Sequence, residues 1–226
     1  MVVTVQSSKM SAPESQALPG LTQGSSPYRM GMKRVFNLLF VMAALPFVVP
    51  FLVIVGILIA LDGHAPLFRQ ERVGRNGNRF SIFKFRTMVP DAEAELTRFL
   101  ASNTEAQAEW DSRQKLENDP RITSIGRLLR RTSMDELPQI FNVLSGDMSV
   151  VGPRPMLPSQ QALYSGHAYY RLRPGMTGSW QVSARNDTTF ADRAKFDDQY
   201  EGQLGFVTDV SIIARTFGVV FRGTGI

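Results

Sequence analysis

The chain has no cysteine and only two histidines, His64 and His167. Without cysteine there is no disulfide, no thiol nucleophile and no sulfur-bound zinc, and two isolated histidines do not make a histidine-rich metal centre or a Ser-His-Asp relay. Any metal is therefore expected to be held by oxygen. Residues 1 to about 30 lack hydrophobic periodicity and are rich in Ser, Gln, Pro and Gly, so they read as a tail that cannot bury enough surface to order itself. The apolar run that follows starts too late for a signal peptide.

What is present suits a folded protein: 226 residues with 43% hydrophobic content can build one domain with a full core. The formal charge of +5 favours an anionic partner, but phospholipid, nucleotide and nucleic acid all qualify.

From Leu38 to Leu61 no residue is charged, and as a straight helix the run covers roughly 36 Å, enough to cross a bilayer. A single spanning helix is the plain reading. Pro46 and Pro50 interrupt the run, however, and both flanks are basic, with Arg29, Lys33 and Arg34 before it and Arg69, Arg72, Arg75 and Arg79 after it. A segment that enters and returns satisfies both facts. Residues 31–64 are therefore expected to form a re-entrant anchor broken near Pro46, with arms shorter than the hydrocarbon core.

Leu67 to Val73 and Arg79 to Phe85 flank an Asn-Gly turn and read as a β-hairpin. Alternation places Lys84 and Arg86 on one face and Phe83 and Phe85 on the other, either as cations for a ligand or as a solvated strand face. Asp91 to Leu100, opened by Pro90-Asp91, reads as a helix, and residues 101–119 as an exposed helix and loop. At helical spacing Arg127 and Arg131 share a face, with Arg130 nearby, while Leu128 and Leu129 pack inward.

Asp135 and Glu136 are adjacent carboxylates. Ser133 and Glu136 fit a capping box, but that register puts Pro138 inside the helix, whereas Asp135 as N-cap puts Pro138 in its first turn. The second register predicts a helix to Leu144, stopped by Ser145-Gly146, with both carboxylates ionised at its positive end and a phosphate sharing the exposed amides. The alternative is that the pair only caps the helix. Gly152-Pro153-Arg154-Pro155 presents Arg154 from a stiff extended support suited to phosphate. Arg173-Pro174-Gly175-Met176-Thr177-Gly178-Ser179-Trp180-Gln181, ending in Arg185-Asn186, is either a loop whose glycines let backbone approach a ligand or a turn around a core tryptophan. Val210 to Phe221 is an apolar helix of the core or of a membrane surface.

In this order the chain resembles the bacterial sugar transferases, the monotopic phosphoglycosyl transferases of exopolysaccharide assembly. The likeness runs from Lys33 to Arg222. It rests on Lys33-Arg34, Arg72-x-Gly74-x-x-Gly77-x-x-Phe80, Lys84-Phe85-Arg86-Thr87-Met88, Asp119-Pro120-Arg121-Ile122-Thr123, Ser133-x-Asp135-Glu136-Leu137-Pro138-Gln139, Gly152-Pro153-Arg154-Pro155 and Arg173-Pro174-Gly175-x-Thr177-Gly178. The resemblance implies a mixed α/β, mainly helical fold: a re-entrant membrane helix plus a small catalytic domain, residues 65–226, on the cytoplasmic face of the bacterial inner membrane.

It implies Mg²⁺ as cofactor, held by Asp135 and Glu136, with Asp135 also the nucleophile on a UDP-sugar. UMP is released, and the hexose-phosphate passes to undecaprenyl phosphate. Arg154, Lys84, Arg86 and Arg131 would bind substrate phosphate; Thr177, Gln181 and Arg185 the nucleotide sugar. The partners implied are those two substrates and the lipid bilayer, with room for a homo-oligomer and other polysaccharide-assembly proteins and no role for nucleic acid. The spacing of residues 101–119 is most like galactose-phosphate or glucose-phosphate enzymes. Two places depart from the family pattern: Asn37 stands where an aspartate is usual, and Tyr200 to Asp209 loses the tryptophan anchor of the usual Tyr-Val-x-Asn-Trp-Ser-x-x-x-Asp. The rival reading is a catalytically silent scaffold or regulator at the membrane surface.

Overall fold

The computed structural model describes residues 26–113, 116–183 and 190–221. A π-helical turn at Tyr28–Met32 leads into α1, Lys33–Ala60. Tyr28, which the composition assigned to the tail, is buried.

The break expected at Pro46 is absent. α1 is helical through both Pro46 and Pro50, which lie on its exposed side. Each proline removes one backbone hydrogen bond, but the helix is held from outside by packing along its whole length. Asn37, Val41, Val55 and Ile59 are buried, with Val48 and Leu52 partly buried between them, so one stripe meets the rest of the protein from end to end. The opposite face is apolar and bare, including Leu39, Phe47, Val53, Ile54 and Ile57. α1 thus belongs to the main core, where Val41 joins Ile82, Val143 and Val151. Burying each such aliphatic side chain contributes about 1.5–3 kcal/mol.

The hairpin forms where the Asn-Gly turn predicts. β1, Leu67–Val73, pairs antiparallel with β2, Arg79–Phe85. Asn76 and Gly77 turn the chain with φ of 59° and 79°, values that asparagine and glycine tolerate best. α2, Ala92–Ser102, and α3, Thr104–Arg113, follow as expected. α4, Ser124–Arg131, is capped by the Thr123 hydroxyl, which accepts from the Gly126 amide at 2.9 Å. Only one of its two leucines packs inward: Leu129 is buried beside Phe85 and Ile59, while Leu128 is 63% exposed. Adjacent helix positions lie about 100° apart, so both rarely face one core.

The dyad is not at an α-helix N-terminus. A 3₁₀ segment, Met134–Gln139, carries Asp135, Glu136 and Pro138, and α5, Ile140–Ser145, starts only afterwards. Neither capping register is used. Ser133 has φ of 56° and its side chain caps nothing, because this left-handed residue turns the chain sharply after α4. Gly146, with φ of 93°, ends α5 as the sequence predicts.

A second sheet has no counterpart in the sequence reading. β3, Ser149–Val151, pairs in parallel with β4, Gly175–Thr177. A Cβ on Gly175 would lie 2.1 Å from the Gly152 amide nitrogen, and one on Gly178 the same distance from the Gly152 carbonyl oxygen. These glycines let two stretches of backbone approach each other. α6, Ala168–Arg171, α7, Ser179–Ser183, α8, Arg193–Gly202, and α9, Phe206–Phe221, complete the body.

Candidate active site

β2 brings Lys84 to the dyad. Its alternate residue Phe85 is buried against Val55, Ile59 and Leu129, which fixes the strand face and turns Lys84 toward the 3₁₀ segment. Asn142 on α5 sets the register between them. It accepts from the Phe83 amide at 3.1 Å and donates to the Ser81 carbonyl at 2.8 Å, standing in for a further strand at the β2 edge. Lys84 Nζ then donates to Glu136 Oε1 at 2.7 Å, and Arg154 Nη2 reaches the same oxygen at 3.1 Å. Pro153 is fully buried beside β3, so Arg154 is presented from the stiff support that its flanking prolines predict.

Asp135 lines the same cleft, of about 450 Å³, with Lys84, Arg130, Glu136 and Arg154. Among the described residues it forms no ion pair within 4.0 Å, the criterion Glu136 meets twice. Burial, then the Glu136 charge beside it, pushes the Asp135 carboxyl above its ordinary range, and Lys84 and Arg130 oppose this only partly. The expectation that an α-helix dipole would keep it ionised is thus corrected, since only a short 3₁₀ segment begins there and α5 starts at Ile140. The result is a carboxylate that is poorly solvated and, among the described residues, not tied up in an ion pair.

Other anticipated residues are elsewhere. Arg86 is committed to the end of the anchor: it donates to both oxygens of Asp62 at 2.8 and 2.7 Å and to the Ile59 and Ala65 carbonyls at 3.1 and 2.9 Å. Arg86 still borders the cleft. Arg131 is exposed and outside it; Arg130 takes the place, held by Nε on the Thr87 hydroxyl at 2.9 Å. Close docking of α4 on Thr87 requires Gly126, where a Cβ would lie 2.1 Å from the Thr87 carbonyl oxygen. Thr177 is buried, with its hydroxyl 2.7 Å from that of Thr216, and Gln181 donates to the Met176 carbonyl at 3.0 Å. Both border a crevice of about 50 Å³ that Glu136 and Arg154 also line. Arg185 lies outside the described residues. Arg72 and Arg193, absent from the expected site, share a cleft with Arg154. No sequence spacing could have joined Arg193 to them.

No group of three or more His, Cys, Asp or Glu side chains suited to a metal occurs among the described residues. Two adjacent carboxylates still fit Mg²⁺, which commonly takes one or two from protein and completes its shell with substrate phosphate and water. Asp135 and Glu136 would be those ligands.

Both ends of α1 are fastened to this body. Lys33 pairs with the buried Asp209, Arg34 donates to the Val143 and Leu144 carbonyls, and Asn37 exchanges hydrogen bonds with Ser149. At the other end Arg86 holds Ile59 and Asp62. The Asn37 departure is thereby explained: its amide ties α1 to β3, and the carboxylate facing Lys33 is Asp209. Phe206 packs edge-on against Phe36 at 5.3 Å, supplying an aromatic contact near the second departure.

A family-wide profile described as Bacterial sugar transferase matches residues 28–223. The UDP-galactose-lipid carrier transferase of Erwinia amylovora is 43% identical over 196 residues, covering 86% of this chain and 41% of that protein. For the Undecaprenyl-phosphate galactose phosphotransferase of Salmonella typhimurium the identity is 42% over 196 residues, with the same coverages. The chain thus spans about two fifths of the length of these two relatives. It matches the Exopolysaccharide production protein ExoY of Rhizobium meliloti almost end to end, 39% identical over 224 residues, with 98% of this chain and 99% of that protein covered. On the profile match and this full-length likeness, the chain belongs to the bacterial sugar transferase family.

Proposed function

We propose that the protein transfers a hexose-1-phosphate from a UDP-sugar to undecaprenyl phosphate, as the initiating step of exopolysaccharide synthesis, through a covalent intermediate on Asp135. The observation that carries this reading is the unequal treatment of two neighbouring carboxylates. Glu136 is pinned by Lys84 and Arg154, while Asp135 faces the same cleft without an ion-pair partner among the described residues. A nucleophile must be ionised, positioned and uncommitted, and its neighbourhood must carry cations for the charge that develops.

In the first step an Asp135 oxygen bonds to the sugar-bearing phosphorus of the donor, the phosphoanhydride bond breaks, and UMP leaves with the electron pair. In the second step a phosphate oxygen of the lipid bonds to that phosphorus, the bond to Asp135 breaks, and the carboxylate is regenerated. Lys84, Arg130 and Arg154 offset phosphate charge throughout, and Glu136 keeps Lys84 and Arg154 in place. Mg²⁺ bound at Asp135 and Glu136 would neutralise diphosphate charge. The names of the relatives support a lipid-linked acceptor and, in two of them, galactose.

Anchoring follows from the same geometry. α1 is long and apolar enough to cross a membrane, yet both of its ends are fastened to the catalytic body and its bare apolar face runs alongside. This supports an anchor that enters the membrane from the cytoplasmic side and does not cross it. Single cysteines near residues 30 and 75 should be protected together from a periplasmic thiol reagent; labelling of one alone would restore the spanning helix.

The chemistry is tested by mixing purified protein with a UDP-sugar and Mg²⁺ and no lipid. UMP release and a mass adduct are expected, both lost in Asp135→Asn. Release of UMP only when lipid acceptor is present, with no trappable adduct, would leave direct attack by the lipid phosphate as the mechanism.

A further inference from the structure

A second cleft of about 210 Å³ shares the Lys84, Glu136 and Arg154 wall with the first, but Asp135 does not line it. Arg72 and Arg193 complete its cations, and Glu136 is the one lining carboxylate. That carboxylate is already engaged by Lys84 and Arg154. The Nε atoms of Arg72 and Arg193 are buried and have no hydrogen-bond partner. Arg193 is also braced, with its guanidinium 4.1 Å from the Trp180 ring centroid and 4.7 Å from that of Phe190. Burial, and then the charge of Arg154, pushes Arg72 down to about 10, and the same causes do so for Arg193. Arg72 also donates from Nη2 to Gln70 Oε1. Three guanidinium groups gathered on one cleft against their mutual repulsion, one of them braced between rings, form a receptor for an anion.

Reaction geometry says which anion. In an in-line displacement the leaving oxygen stands opposite the attacking one, so a phosphorus attacked from Asp135 directs its leaving group across the Lys84–Glu136–Arg154 wall. The first cleft also has an apolar side, with Phe68, Phe85 and Met88 in its wall and Phe85 packed on Val55 and Ile59 of α1, which suits a lipid-linked substrate better than a nucleotide.

We propose that Arg72, Arg154 and Arg193 form the subsite that holds the nucleoside monophosphate portion of the donor and its departing phosphate. This rests on the phosphate-transfer reading above. It moves nucleotide recognition away from Thr177 and Gln181, which the fold turns to structural contacts.

Calorimetric titration of the full chain in lipid nanodiscs with UDP and with UMP, in the presence of Mg²⁺, tests it without requiring turnover. Arg72→Gln and Arg193→Gln should each weaken UDP about tenfold, the loss of one charge-assisted contact. Arg131→Gln, at an exposed arginine outside both clefts, should not. Thermal melting identifies folded variants. Arg193→Lys, which keeps charge but loses the planar fork, should also weaken UDP, and Arg72→Gln decides if neither Arg193 variant folds. Unchanged UDP affinity in the folded variants overturns the proposal. So does a loss confined to a short-chain polyprenyl phosphate, which would assign the arginines to the acceptor. A protein that binds UDP through these arginines but never releases UMP from a UDP-sugar would leave this subsite standing and sink the transfer reaction.

Discussion

Asp209 at the root of the anchor and Asp135 in the cleft are aspartates near cations, treated in opposite ways. Asp209 is fully buried and saturated: Tyr28 and Tyr200 donate to it at 2.7 and 2.6 Å, and Lys33 pairs with it. Asp135 has cations near it but no ion pair among the described residues, and Glu136 alongside raises the energy of its charge. A buried acid whose donors are all supplied holds elements together; one left short of donors is held ready for a ligand or a reaction. Here the first fastens α1 to α8 and α9, and the second faces the open cleft.

The comparison breaks most visibly with Asp135→Asn. Transfer should fall by about 10³-fold or more, while the melting temperature holds or rises because an unfavourable charge is gone. Because the Asp135 pKa is raised, the acid limb of the pH–rate profile should lie above that of an exposed aspartate, activity being lost as the carboxylate protonates. Asp209→Asn should do the converse. Leaving Lys33 without its buried counter-charge costs on the order of 3–5 kcal/mol, read by denaturant unfolding. Equal stability losses in the two variants would erase the distinction.

Arg154→Lys asks whether the cleft needs a planar fork or only a charge. Loss of the directed contacts should cost about 1.5–3 kcal/mol in kcat/KM with little change in stability; wild-type turnover would make Arg154 a support for its loop. Asp197 is the intermediate case. It is buried and accepts one hydrogen bond from Tyr164 at 2.7 Å, and burial pushes its carboxyl up to about 7. A carboxyl whose folded pKa exceeds its unfolded value makes the folded state take up protons, so stability should decline as pH rises from about 4 to 7 and then level off. Asp197→Asn should flatten that slope, by about 1–3 kcal/mol across the window.

Local chemistry was legible where it is self-contained. Asn76-Gly77 specified the hairpin because few residues accept its left-handed angles, and Gly146 ended α5 for the same reason. The dyad and Arg154 were recognisable because carboxylates before a proline-flanked arginine have a chemical meaning before folding. Arg130 and Arg131 were not separable. They are neighbours on a short helix, and which one meets the cleft depends on how Gly126 lets α4 sit on Thr87. For Thr177 and the glycines around it the sequence left two readings open, because close backbone approach looks the same in sequence whether the visitor is a ligand or another strand; here Gly175 and Gly178 meet the Gly152 backbone and Trp180 is buried.

By itself, then, the sequence determined the adjacent carboxylates, the proline-flanked arginine, the lack of any sulfur ligand, the long apolar helix and the turns, since each depends on residue type or on neighbours a few positions away. Tertiary structure alone decided that α1 runs unbroken along the body. It also decided that the Arg86 guanidinium is engaged by Asp62 and the Ile59 and Ala65 carbonyls, that Asp209 answers Lys33 across the chain, and that Arg72, Arg154 and Arg193 share one cleft. Those outcomes depend on which distant surfaces meet, and on the burial and repulsion that result, quantities that no spacing along the chain encodes.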